Sequence, residues 1–181
     1  AFKDVYAEPL ARQFTLFVFL SMLAYSAQDL ILEPFAGAVH GMSPGKTTQL
    51  SGWHHSGVLI GMLAVAGASS QRVRGRLGSV HAWMLGGCLL SAVATVGLSL
   101  STLTSLTWPW PLQLNVIFLG VANGAFSIAA IATMMRLAGN GGPGKEGTRM
   151  GLWGAAQAIA FGLGGLVGTG ASDLAHALLG D

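Results

Sequence analysis

Apolar residues occur in five long runs along the chain, and polar residues gather between them. The runs cover residues 14–39, 53–70, 80–103, 112–135 and 150–171. A helix needs about 20 apolar residues to cross a bilayer core of about 30 Å. The runs are too long and continuous for the strands of a membrane barrel. The pattern therefore predicts an all-α, polytopic transmembrane helix bundle of about five spanning helices over residues 14–171.

The composition supports a membrane protein. Of 181 residues, 52% are hydrophobic and only 9% are charged, whereas a soluble domain carries roughly 25% charged residues. The net charge is +2, but nine scattered basic residues form no concentrated basic face, so a nucleic-acid partner is excluded. Cys88 is the sole cysteine, which excludes an intramolecular disulfide.

The distribution of basic residues predicts the orientation in the membrane. Threading the spans back and forth places eight of the nine lysines and arginines on one side: Lys3, Arg12, Arg72, Arg74, Arg76, Arg136, Lys145 and Arg149. Short cytoplasmic loops retain Lys and Arg, so the N-terminus is predicted to be cytoplasmic. Tryptophans agree, since Trp53 and residues 108–110 fall at the outer interface and Trp83 and Trp153 at the inner one.

Two terminal segments flank the predicted bundle. Residues 1–13 mix charged and apolar positions and form either an interfacial helix on the cytoplasmic surface or an irregular lead-in interrupted by Pro9. Residues 172–181 form a tail on the periplasmic side. The odd number of spans and the start without Met lead us to expect a portion of a longer chain.

Small residues recur at the spacing that lets helices pack closely in lipid. Gly57 and Gly61 form one such pair, and Gly120 and Gly124 form another. The fifth span carries a longer stripe: Gly151, Ala155, Ala158, Gly162, Gly165 and Thr169. We interpret these positions as helix-packing faces, with a glycine groove for a flat ligand as the alternative.

The first span carries the most informative polar residues. Ser21, Tyr25, Asp29 and Glu33 recur every fourth residue, with Gln28 beside them. An ionised group within the bilayer costs on the order of 2.5–3.5 kcal/mol on insertion scales, so it usually faces a cavity or partner. Asp29 therefore either handles a ligand or proton or makes a structural hydrogen bond, whereas Glu33 and Pro34 approach the outer interface. The acids are too few to specify a reaction, and no enzyme is predicted.

Two adjacent histidines are the candidate metal ligands. His54 and His55 begin the second predicted span, where Gly57 and Gly61 leave space. A neutral imidazole in an apolar setting can bind a metal, including one held in a tetrapyrrole. The alternative is an interfacial histidine bonded to water or backbone, and the residues alone favour it.

Three segments resemble a known family. They read AYSAQDLILEPFAG at residues 24–37, GMSPG followed by QLSGWHHSG at residues 41–57, and GTRMGLWGAAQA at residues 147–158. They are similar to the bacteriochlorophyll delivery branch of the major facilitator superfamily, the PucC/LhaA-like proteins of phototrophic bacteria. Those proteins assist assembly of light-harvesting complexes.

The resemblance implies an architecture and a biological setting. A family member has twelve helices in two six-helix halves, and this chain resembles the second half without its last helix. The implied ligand is bacteriochlorophyll or a late precursor, and the implied partners are antenna polypeptides and reaction-centre subunits. The implied location is the photosynthetic intracytoplasmic inner membrane. The loop at residues 67–76 resembles the basic loop of the superfamily only loosely, with Gln71 nearest to its usual aspartate.

The residue patterns and the resemblance together give the candidate residues, of which Asp29, Glu33, Pro34, His55 and Arg149 occupy positions of the family motifs. The cofactor-binding set comprises His55 and His54 as magnesium ligands, together with Gln28, Asp29 and Glu33. The structural set comprises Pro34, Gly57, Gly61, Arg149, Gly151, Gly162 and Gly165. Three functions compete: a pigment-handling assembly factor, a secondary transporter of a small solute with Asp29 as coupling carboxylate, and a stable accessory subunit of a photosynthetic core complex.

Overall fold

The computed structural model describes residues 8–69, 79–102, 111–139 and 146–179, and these form five helices. The helices are α1 (Pro9–His40), α2 (Pro44–Ala68), α3 (Val80–Leu100), α4 (Leu112–Gly139) and α5 (Glu146–Leu179). The predicted all-α class is confirmed.

Local signals at the helix ends explain where two of the helices stop and start. Helix α1 ends before Gly41, whose φ of +59° lies in the left-handed region that favours glycine. Pro44 then occupies the first turn of α2, where its missing N–H costs nothing. Ser79 caps α3, because its side-chain oxygen accepts the N–H of Ala82 at 3.2 Å.

Several helices extend beyond the predicted spans. Helix α1 begins at Pro9 rather than at residue 14, α2 begins at Pro44 rather than at residue 53, and α5 continues to Leu179 rather than ending at residue 171. Hydropathy marks only the apolar part of a helix, and polar residues prolong each of these helices past it. The remainder of the predicted lead-in, residues 1–7, lies outside the described residues.

Four helices of the described chain are long and apolar enough to cross a membrane: α1, α3, α4 and α5 through Ala171. The protein is therefore a multi-pass membrane protein. Helix α2 does not meet the same criterion, and its first half carries Lys46, Gln49, His54 and His55. The spanning role of α2 remains a prediction.

The helices divide into two compact units. The first contains α1 through Phe35, the end of α4 from Met134, and α5, whereas the second covers Ala36–Thr133. In the second unit α2 and α4 cross at four glycines. A Cβ atom on Gly57, Gly61, Gly120 or Gly124 would come within 3.0 Å of the opposite backbone. The two predicted small-residue pairs therefore meet at one crossing, where the backbones touch.

In the first unit α1 packs against a face of α5 that differs from the predicted stripe. A Cβ on Gly164 would come within 2.7 Å of the Ser26 Cβ, and the Ser26 hydroxyl donates to the Phe161 carbonyl at 3.1 Å. The buried small residues of α5 repeat every fourth position: Ala156, Ala160, Gly164 and Gly168.

The predicted stripe of α5 lies mostly outside this contact. Gly151 and Gly162 are exposed, and a Cβ added at either would have no atom within 4 Å, whereas one on Gly165 would meet only the Leu30 side chain at 3.4 Å. Small residues occur on several faces of α5, so spacing could not decide which face would contact α1. Gly151 and Gly162 thus contact no other helix among the described residues, and their role as packing positions stays a prediction.

Candidate functional site

A polar cluster of three side chains lies inside the second unit. His54 of α2 is 1% exposed, and its Nε2 lies 3.4 Å from the Nδ2 of Asn123 on α4. The hydroxyl of Ser91 on α3 donates to Asn123 Oδ1 at 2.7 Å. Since the amide oxygen receives the Ser91 proton, the amide nitrogen faces His54 and donates to Nε2. The cluster therefore links three helices through one buried amide.

The glycine crossing explains why His54 and Asn123 meet. A Cβ on Gly120 would clash with the backbone carbonyl of His54, so the backbones of α4 and α2 are in contact there. Asn123 follows Gly120 by three positions and therefore lies on a neighbouring part of the same helix face. Sequence reasoning missed Asn123 and Ser91, although an asparagine within an apolar span is itself a signal of an interhelical hydrogen bond.

His55 has the opposite environment to His54. It is exposed, and its Nδ1 lies 2.9 Å from the Ser51 carbonyl oxygen, one helical turn earlier. A carbonyl oxygen can only accept, so Nδ1 carries the proton and Nε2 keeps its lone pair. The two imidazole rings stand edge to face with centroids 5.3 Å apart. Of these two histidines, only His55 is both exposed and held in one tautomer by a bond within its own helix.

The predicted polar face of α1 belongs to the first unit. Gln28, Asp29 and Glu33 are all half-buried, and Asp29 Oδ1 is fully buried. Tyr25 stacks edge to face on Phe161 of α5, with ring centroids 6.2 Å apart. These residues all lie within the single helix α1, as the sequence predicts.

Pro34 lies inside α1 rather than at its end. It has no N–H, so it cannot donate to the carbonyl of Leu30 one turn earlier. The helix nevertheless continues to His40. Pro34 therefore marks a weakened turn immediately after Glu33.

Arg149 joins three segments of the first unit. It is 8% exposed, its Nη1 donates to the Leu137 carbonyl at 2.6 Å, and its Nη2 forms an ion pair with Glu8. Leu137 lies in the last turn of α4, where carbonyls lack helical partners. The guanidinium therefore caps the C-terminus of α4, with a charge that suits that end of the helix. The sequence did not predict Glu8 as its partner.

Many of the residues on which the predicted membrane orientation rests lie outside the described residues. This applies to Lys3, Arg72, Arg74, Arg76, Lys145 and the turn at residues 108–110, as well as to Gln71 of the basic loop. Trp153, predicted to lie at the inner interface, is 1% exposed and packs edge to face on Phe14, with ring centroids 5.0 Å apart. Its depth in the membrane stays a prediction. The cytoplasmic N-terminus remains a prediction.

Replacing Asn123 with leucine is expected to destabilise the protein by about 1–2 kcal/mol. Leucine keeps much of the volume but leaves the buried ring of His54 and the half-buried hydroxyl of Ser91 without their amide partner. Thermal unfolding in detergent measures the loss as a lower Tm. Ser99→Ala is the control, because its exposed hydroxyl bonds only within α3. An equal Tm for Asn123→Leu and wild type would contradict the cluster.

The chain is similar to several known proteins over most or all of its length. The whole chain, residues 1–181, matches the family model described as PUCC protein. It is 52% identical over 180 residues to the bacteriochlorophyll synthase 44.5 kDa chain of Rhodobacter capsulatus, covering 99% of this chain and 40% of that protein. It is 29% identical over 154 residues to protein PucC of Cereibacter sphaeroides, covering 80% of this chain and 29% of that protein. The chain thus spans less than half the length of these relatives. No solved structure matches it.

Proposed function

The chain belongs to the PUCC protein family, and on that premise we propose that it takes part in assembling bacteriochlorophyll-containing photosynthetic complexes in the membrane. The family match over the whole chain carries this proposal. A relative named as a bacteriochlorophyll synthase chain, at 52% identity, supports the connection to this pigment. The multi-pass helical fold supports a role within the bilayer, where pigment and antenna polypeptides meet.

In its finer form, the proposal is that the protein handles bacteriochlorophyll or a late precursor and delivers it to light-harvesting antenna polypeptides. We infer a binding role rather than catalysis, although one relative is called a synthase chain. Two polar side chains, Asn123 and Arg149, join helices to one another. Such bonds suit a scaffold that holds its shape while pigment and polypeptide bind.

The remaining expectations belong to the same proposal. We place the protein in the photosynthetic inner membrane with a cytoplasmic N-terminus, as half of a twelve-helix major facilitator arrangement. Gln28, Asp29 and Glu33 would organise the side of α1 that faces a cavity or partner. Their half-buried positions on one helix support that role.

Removing the protein from a phototrophic host tests the assembly role. Newly made antenna polypeptides, followed by pulse labelling and native gels, should acquire pigment several-fold more slowly, while extractable bacteriochlorophyll precursors stay at wild-type levels. Re-expression of the wild-type protein is the control. An accumulated precursor with normal pigment loading would contradict the proposal and favour an enzymatic role in pigment synthesis.

A transporter is the second candidate, favoured by one observation. Asp29 places a fully buried carboxylate oxygen within a helix apolar enough to cross a membrane. If the protein is a transporter with Asp29 as coupling group, vesicles that carry it in their membrane and a pH-sensitive dye inside should take up protons. Asp29→Asn should abolish that uptake. The assembly role predicts no such difference between the two proteins.

A stable accessory subunit would differ from an assembly factor in its number of copies per reaction centre. An assembly factor should be present in far fewer copies than the reaction centre and absent from the mature purified complex. Quantitative mass spectrometry of membranes and of the purified core complex measures both. A fixed ratio to reaction-centre subunits in the mature complex would favour the subunit.

A further inference from the structure

The two neighbouring histidines on α2 differ in which ring nitrogen can bind a ligand. Nε2 of His54 faces the amide nitrogen of Asn123, and the ring is 1% exposed. The lone pair of that nitrogen is used inside the helix bundle and has no access to a bulky ligand. His55 donates its Nδ1 proton to the Ser51 carbonyl and stands at the surface. The nitrogen that can coordinate a metal is therefore Nε2 of His55.

The bond from His55 to the Ser51 carbonyl is the arrangement that metal-binding histidines normally show. A histidine that coordinates through one nitrogen usually donates the other N–H to a carbonyl or carboxylate, which fixes the tautomer and orients the ring. The acceptor here lies one turn earlier in the same helix, at 2.9 Å. The orientation therefore needs no other helix and no bound ligand.

We propose that His55, and not His54, coordinates the magnesium ion of a tetrapyrrole through Nε2, with His54 serving to fix the rotation of α2. This inference rests on the proposed pigment-handling function and names the residue that would bind the pigment. Magnesium in a tetrapyrrole takes an additional ligand on the open side of the ring, and a neutral imidazole nitrogen can supply it.

The surface of α2 beside His55 is open at Gly52. Side chains of a helix lean toward its N-terminus, so the residues beneath His55 are Ser51 and Gly52. A Cβ on Gly52 would meet no atom within 4 Å. One turn beyond His55, Leu59 is 58% exposed and offers an apolar contact. Small residues on one side and an apolar residue on the other suit a planar, mostly hydrophobic macrocycle.

The helix crossing holds this surface in place. Gly57 and Gly61 lock α2 against α4, and the bond between His54 and Asn123 sets the rotation of α2 about its axis. Consecutive helix residues point about 100° apart, so burying His54 turns His55 toward the surface. The function of His54 is thus to position its neighbour.

The test compares bacteriochlorophyll a with bacteriopheophytin a, which lacks magnesium. The protein is purified in mild detergent from its native membrane, and each pigment is titrated into it. Wild type should prefer bacteriochlorophyll a, and the Qx absorption band, which responds to the number of magnesium ligands, should report an axial ligand. In His55→Ala the affinity for bacteriochlorophyll a should fall at least about tenfold, since even outer partners of metal ligands contribute 10- to 100-fold. Affinity for bacteriopheophytin a should stay unchanged.

Two matched variants complete the test. His81→Ala removes another exposed histidine, at the start of α3, and should bind as wild type does. His54→Ala should lower Tm and weaken binding of bacteriochlorophyll a less than His55→Ala does, because His55 is then held less firmly, while the pigment that binds keeps the Qx signature. Unchanged binding and Qx position in His55→Ala, or loss of the signature only in His54→Ala, would overturn the inference while leaving the proposed function standing. Failure of wild type to bind either pigment would instead overturn the proposed function.

Discussion

Replacing Gly61 with alanine is expected to destabilise the protein by about 3 kcal/mol, because the added methyl group has no space. A Cβ at this position would fall within 3.0 Å of three backbone atoms of α4, in Val121 and Ala125. Forcing extra volume into a packed site typically costs about 1–3 kcal/mol, and more where the neighbours cannot move. Backbone atoms of a helix cannot rotate away as a side chain can. The helices must separate, and the bond between His54 and Asn123 should weaken with them.

The control for Gly61→Ala lies in the same helix. Gly52 has no atom within 4 Å of a Cβ position, and alanine is favoured over glycine by up to about 1 kcal/mol in a helix interior. Gly52→Ala should therefore raise Tm or leave it unchanged, whereas Gly61→Ala should lower it. Thermal unfolding in detergent, followed by circular dichroism, measures both. Equal Tm values for the two variants would contradict the crossing of α2 and α4 at these glycines.

Truncation of Trp153 should have a comparable effect in the first unit. Trp153 is among the largest fully buried side chains and packs edge to face on Phe14. Trp153→Ala would leave a cavity, which costs about 3 kcal/mol or more when a large aromatic side chain is removed. In lipid the lost packing contacts remain costly, although the hydrophobic part of the effect is smaller. The expected result is a lower Tm and a looser contact between α1 and α5.

Trp153→Phe separates the ring contact from the indole N–H. Among the described residues Nε1 of Trp153 is buried without a hydrogen-bond partner, so removing it sacrifices no bond within them. Phenylalanine keeps an aromatic face for Phe14, and Tm should fall by much less than in the alanine variant. An equally large loss in both variants would show that the indole N–H, rather than ring packing, stabilises this contact.

The fold class could be predicted from the sequence because apolar runs of spanning length have few alternatives in a bilayer. Helix ends could not be predicted as well. Residues 44–52 are mostly polar, so hydropathy does not mark them as part of a span. They are nevertheless helical, because Pro44 is well suited to the first turn of a helix. The resemblance to the PucC-like family is confirmed by the match over the whole chain. That resemblance rests on sequence motifs rather than on composition, and it therefore identifies one family.

The candidate site was less predictable, because it depends on which helix faces meet. Spacing showed that small residues line several sides of α5, but only the structure shows that Gly164 and Gly168 face α1. Likewise, His54 and His55 looked equivalent as neighbouring residues. The partner that separates them, Asn123, lies 69 positions away. Local patterns carry no information about a contact over that distance.

One absorption spectrum tests whether this protein handles bacteriochlorophyll during assembly. The protein is extracted from its native membrane in mild detergent, and its absorption is measured together with its polypeptide composition. We expect near-infrared bacteriochlorophyll bands, with antenna polypeptides present in substoichiometric amounts. A colourless protein without antenna polypeptides would contradict it.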